Sequence, residues 1–114
     1  MNTNTTSNIN TIANNIQAQV GSGNILSICG GKRKFEVDGN DVSMVMSCGS
    51  GYKVRVRYVA ARDTYTVTRE FARGLNYWIK GEREDVYCYE LAEVAYRAGM
   101  FRDEWTTNGA RKVI

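Results

Sequence analysis

Histidine is absent from the 114 residues. That removes the Ser/His/Asp and Cys/His nucleophile systems, histidine-ligated metal sites and the commonest general base, so the chain is expected to be a non-enzymatic protein with no cofactor and no bound metal. Cysteine is scarce, with Cys29, Cys48 and Cys88 forming no CxxC pair and lacking a histidine to complete a zinc tetrahedron. The three thiols read as reduced, small apolar residues suited to a reducing cytoplasm, with Cys88 assigned to packing. Charge is missing from the first 31 residues. This stretch is rich in Asn and Thr and has neither the basic start nor the apolar run of a signal peptide or a membrane span. The protein is therefore expected to be soluble, unexported and without a membrane partner.

What is present describes one domain with a modest core, since 43% of residues are hydrophobic. The net charge of +3 is too small to mark a polyanion binder by composition. Charge is nevertheless segregated. From Lys32 to Lys80 the local balance is +5, and from Gly81 to Ile114 it is −2.

Residues 1 to 7 offer little apolar surface to offset ordering entropy and are expected to be disordered. Ile9, Ile12, Ile16 and Val20 then recur at helical spacing, with Ser7 as a candidate N-cap and Gly21 as a stop. The residues between them are poor helix formers, so this helix forms only if its isoleucine stripe is packed. Asn24 to Cys29, ended by Gly30 and Gly31, fits a helical turn or a strand. Residues 1–23 thus read as a flexible or weakly helical segment, 24–102 as a single α+β domain, and 103–114 as a loosely held tail.

The middle of the chain alternates with period two. Val42, Met44 and Met46 begin a strand that turns at CGSG (48–51), and YKVRVRYV (52–59) places Val54, Val56 and Tyr58 on one side and Lys53, Arg55 and Arg57 on the other. After a turn at 60–63, TYTVTREF directs Tyr65, Val67 and Phe71 inward and Thr64, Thr66, Thr68 and Glu70 outward. Pairing Tyr58 with Tyr65 and Val56 with Val67 sets Arg57 opposite Thr66, Arg55 opposite Thr68 and Lys53 opposite Glu70, leaving only Arg69 opposite Val54 out of pattern. LNYWIK (75–80) reads as a short fourth strand. The acidic residues from Glu82 to Asp85 lead into a helix from Glu84 to Ala98, whose core face comprises Tyr87, Cys88, Leu91, Val94, Ala95 and Ala98, with Val86, Tyr89, Glu93 and Tyr96 opposite and Gly99 as its stop. The expected architecture is α+β: an antiparallel meander of three or four strands, a C-terminal helix packed on one face and a short N-terminal helix.

ILSICGG (25–31), the strand pair, Arg73-Gly74-Leu75-Asn76 and the Val86, Tyr87 and Leu91 of the helix start together resemble a family of small bacteriophage-encoded proteins. Its members run as a short helix ending in GG, a hairpin, an RGLN-type turn, a short strand and a VYxxxL helix. The likeness spans Ile25 to Phe101, and it departs where Lys32, Arg33 and Lys34 stand in place of an RF pair. It implies a viral origin, hence a host-cytoplasmic location, and a shared α+β shape, and nothing about chemistry.

Two surfaces are candidate sites. Lys32, Arg33, Lys34, Lys53, Arg55 and Arg57 form a basic sheet face, read as a solvated face, a phosphate-binding surface or a dock for an acidic protein. Stacking of bases is disfavoured there because Tyr52 and Tyr58 lie on the other side. Tyr89, Glu93 and Tyr96 form an aromatic and acidic helix face, either covered by the N-terminal isoleucines or free for a partner. Glu82, Glu84 and Asp85 complement a helix dipole, and the DGND run at 38–41 is a turn. GGKRK (30–34) lacks the framework of a phosphate loop. Compactness and separated charge suit an accessory protein that inhibits a host protein or ribonucleoprotein by docking, of the anti-defence or anti-CRISPR type. The alternatives are a nucleic-acid-binding protein using the basic face and an assembly protein that homo-oligomerises through its N-terminal helix.

Overall fold

The computed structural model describes residues 3–101 and 104–114. Helix α1 (Thr3–Val20) is followed by α2 (Ser22–Cys29), then strands β1 (Arg33–Asp38), β2 (Asp41–Gly49), β3 (Tyr52–Val59), β4 (Thr64–Arg73) and β5 (Asn76–Val86). Helix α3 (Cys88–Met100) and the short β6 (Arg111–Lys112) complete the chain. The strands form one antiparallel sheet in sequence order, β1 to β6. The architecture is α+β, with six strands where three or four were expected.

The central hairpin has the register that side-chain alternation dictates: Tyr58 faces Tyr65, Val56 faces Val67, Arg55 faces Thr68 and Lys53 faces Glu70. Val42, Met44 and Met46 extend the same apolar rows into β2, opposite Tyr58, Val56 and Val54. All three helices cover this face. Ile16 and Val20 of α1, Ile25 and Ile28 of α2, and Leu91, Val94, Ala95 and Ala98 of α3 are buried in one cluster with the strand residues. The isoleucine stripe is therefore packed, which resolves the condition on which α1 depends. Asn24 fastens the three helices together by donating to the Val20 carbonyl at 2.9 Å and to the Ala92 carbonyl at 3.3 Å. Gly30 caps α2 in the left-handed conformation, its N–H donating to the Leu26 carbonyl.

Several boundaries differ from the sequence expectation. The backbone of α1 begins at Thr3, within the stretch expected to be disordered, while residues 1 and 2 lie outside the described residues. Residues 82–86 belong to β5 and not to a helix, because β4 is long enough to pair with the whole segment and Val86 enters the core opposite Tyr65. Asp85 takes a positive φ of 56° at this end of the strand, and α3 starts only at Cys88. There the Glu90 carboxylate accepts the Tyr87 backbone N–H at 3.2 Å. Tyr87 and Cys88, assigned to the core by the helical wheel, are exposed as a consequence. Gly99 lies within α3 and serves packing: a Cβ there would come within 3.0 Å of the Ile28 side chain.

The segment expected as a loose tail is tied to the sheet. Trp105 is buried, Glu82 donates its N–H to the Asn108 carbonyl at 2.8 Å, and Lys112 pairs with Trp78. A side chain at Gly81 would overlap the Thr106 carbonyl oxygen, so glycine is what lets this segment approach β5. Residue 103, the start of that expected tail, lies outside the described residues.

Ile16→Ala should destabilise the protein by about 2 to 5 kcal/mol, the usual cost of a cavity at a fully buried isoleucine. Denaturant unfolding measures it; a loss below about 0.5 kcal/mol would show that α1 contributes nothing to the core.

Candidate functional site

The face of the sheet opposite the helices carries the charged residues. Lys34, Glu36 and Asp38 from β1, Asp41 from β2, Lys53, Arg55 and Arg57 from β3 and Glu70 from β4 alternate onto it. Arg55 of β3 bridges the neighbouring β4 and the more distant β1, donating from Nε to Glu70 at 2.7 Å and from Nη1 to Glu36 at 2.7 Å. Lys34 meets the other Glu36 oxygen at 3.3 Å. Arg57 donates from Nη2 and Nε to Asp41 at 2.8 and 3.0 Å and approaches Asp38 at 3.4 Å.

This network changes the meaning of the basic face. Arg55 and Arg57 hold the protein's own carboxylates, and Glu70, expected outward, has a side chain only 3% exposed. Lys53 faces Glu70 in register, while the carboxylate itself is held by Arg55 from one pair further along β3. Of the upstream cations, Lys34 joins this patch through Glu36, whereas Arg33 does not. Arg33 lies on the helix side of β1, opposite Met46, and donates to Gln17 at 2.7 Å and to the Gly31 carbonyl at 3.1 Å. The Arg55 hydrogen bond, more than the Lys34 contact, holds the Glu36 carboxyl below its ordinary range. Asp41 is lowered first by the Ala60 N–H, which it accepts at 2.9 Å, and then by Arg57. Burial, followed by the Glu70 carboxylate, raises the Tyr77 hydroxyl.

The second candidate surface is free. Tyr89 is 83% exposed and Glu93 is exposed one helical turn further on, while Tyr96 is half-buried with its ring edge-on to Phe101 at 5.9 Å. Helix α1 does not cover this face, because its own stripe is spent between α3, β2 and β3. The helical wheel missed Tyr87. By starting α3 at Cys88, four residues later than expected, the chain sets the Tyr87 and Tyr89 rings parallel, 2° apart in plane and 5.8 Å between centroids. Beside them opens a cleft of about 530 Å³ lined by Ile12, Tyr58, Asp63, Tyr65, Tyr87 and Cys88. The Asp63 carboxylate accepts the Tyr58 hydroxyl, and that hydrogen bond, with burial, pushes the phenol up to about 12. An exposed aromatic pair next to a concavity is a docking geometry.

No protein-family model matches this sequence, and neither the curated proteins nor the solved structures provide a match. Among the described residues, no helix is long and apolar enough to cross a membrane.

Arg55→Ala strands the buried Glu70 carboxylate and should cost about 3 kcal/mol, so reversing Arg55 and Arg57 together is not neutral to the fold. Urea unfolding of the single variants compares them; Arg57→Ala, whose side chain is 38% exposed, should lose under about 1 kcal/mol. A cost at Arg55 no larger than at Arg57 would refute the importance of Glu70 burial.

Acid should weaken the same network. Glu36 and Asp41 titrate lower in the folded chain than in the unfolded one, so their contribution is present above their ordinary values of 4.5 and 3.8 and is lost as pH falls through their lowered folded values. Melting temperature measured against pH should fall over that range. The fall should be shallower in Glu36→Gln, and an identical slope in the variant would contradict this assignment.

Proposed function

We propose that this chain is a non-enzymatic binding protein that docks on a partner protein, alone or within a ribonucleoprotein, through the Tyr87 and Tyr89 end of α3. The observation that carries this reading is the exposed, parallel aromatic pair beside a cleft. Two large rings held by a capped helix end bury much apolar area on docking at little entropic cost, as interface anchors do. Glu93, exposed one helical turn beyond Tyr89, supplies a polar rim that favours a basic counterpart.

With a viral origin, as the RGLN and VYxxxL resemblance implies, the reading sharpens to an accessory inhibitor acting in the host cytoplasm, of the anti-defence or anti-CRISPR type, that blocks a host factor sterically. A nucleic-acid role for the basic face has less support, because Arg55 and Arg57 are engaged by carboxylates. Homo-oligomerisation through α1 also has less support, because Ile16 and Val20 are buried within the chain.

Affinity capture from bacterial host lysate, with and without nuclease, tests the reading in wild type and in Tyr89→Asp. The expected result is a nuclease-resistant protein retained by the wild type and reduced at least ten-fold by the variant, which should melt normally because Tyr89 touches solvent. Equal capture by both proteins, or capture by neither, would overturn it.

A further inference from the structure

The face that carries the helices also holds a row of aromatic rings beyond the core. Tyr52 on β3, Phe71 on β4 and Trp78 on β5 are successive Cα partners, and Lys112 on β6 continues the row. All three rings are half-buried. Tyr52 and Phe71 lie 4.7 Å apart between centroids, and Phe71 and Trp78 lie 5.5 Å apart. Lys80 is the extra residue of the bulge at which β5 shifts register against Arg69 and Glu70. Its Nζ stands 5.5 Å from the Phe71 centroid and 5.7 Å from that of Trp78, and the Lys112 Nζ stands 5.7 Å from Trp78. Arg73, exposed and two residues beyond Phe71, lies on the same side of β4.

The charge around this row differs from that of the opposite face. On that face Lys34, Arg55, Arg57 and Arg111 are engaged in ion pairs, and Lys53 forms none among the described residues. Lys80, Lys112 and Arg73 form none among the described residues, and no carboxylate stands in register with the rings. A lysine resting on a ring is only weakly held there and can swing to a stronger anion. Rings on adjacent strands about 4.8 Å apart, flanked by unneutralised cations, match the two demands of an unpaired strand: faces for its bases and charges for its phosphates.

We propose that this row is a platform for single-stranded nucleic acid, with Tyr52, Phe71 and Trp78 stacking bases and Lys80, Lys112 and Arg73 meeting phosphates. Alternation within β3 separates its aromatics from its cations, but β5 and β6 bring lysines to the aromatic side. The platform is separate from the Tyr87 and Tyr89 surface and does not rest on the function proposed for it.

Fluorescence anisotropy of a short labelled oligothymidylate, against a duplex of the same length, tests this at low salt. The wild type should bind the single strand more tightly than the duplex. Lys80→Ala with Lys112→Ala should weaken binding and reduce the slope of log affinity against log salt by about 1.4, the amount for two phosphate contacts on a single strand. Trp78→Leu, which keeps apolar bulk, should weaken binding by about five- to hundred-fold, and Tyr89→Asp should leave it unchanged. If Trp78→Leu melts early, the lysine pair decides. Absence of binding, preference for duplex, or an unchanged salt slope in the lysine variant would overturn the proposal. Equal competition by polyglutamate would assign the row to an acidic protein and overturn it as well.

Discussion

The apolar rows Met44–Val56–Val67 and Val42–Tyr58–Tyr65 need cover on one side, and all three helices are drawn to that side. A six-stranded sheet covered on one face leaves the other to be stabilised without a second layer. The chain meets this requirement with carboxylates and guanidinium groups on its strands, so that Arg55 and Arg57 meet acids contributed by other strands. Burial of Glu70 follows from that arrangement, since Arg55 lies over it and satisfies its charge. One-sided helix packing thus fixes both the core and the chemistry of the exposed face.

The same asymmetry sorts the surfaces by what they can offer a partner. Arg55 and Arg57 on the helix-free face are neutralised by carboxylates, so they have little to exchange with a ligand. Side chains at the margins of the helical layer have no such complement: the Tyr87 and Tyr89 pair projects past the start of α3, and the aromatic row continues the sheet beyond the area that the helices reach. Both candidate surfaces therefore lie at the border of the core, where apolar groups are in place and cover runs out.

Legibility in the sequence tracked how strictly one face was apolar. The β3 and β4 runs alternate cleanly and gave their mutual register residue by residue. By contrast, RKFEVD (33–38) hides β1, because Phe35 and Val37 lie at a sheet edge and are themselves exposed. GEREDV (81–86) hides the second half of β5 behind acidic residues that also suit a helix start, and only the length of β4 decides between them. Tyr89 and Glu93 were found from the helical wheel, whereas Tyr87 depends on where the helix begins. The pairing of Arg55 with Glu36 joins residues nineteen positions apart through β1, an element that sequence alone did not reveal. The same holds for Trp78 and Lys112, whose partnership depends on a two-residue strand.

Nearest-neighbour strand order has a kinetic side. From β1 to β5 every strand pairs with the one before it, so this part of the sheet can assemble by successive hairpins that each close a short loop. Contacts between α1 and α3 are different, because they join the two ends of the chain across the whole meander. Closure of that long loop is rewarded only once the hairpins present a joint surface, so loop-closure entropy favours docking of α1 after the hairpins have formed. The terminal helix acts as a latch on an otherwise locally built domain, and a ligand that grips α3 beside it would lengthen the lifetime of the closed state.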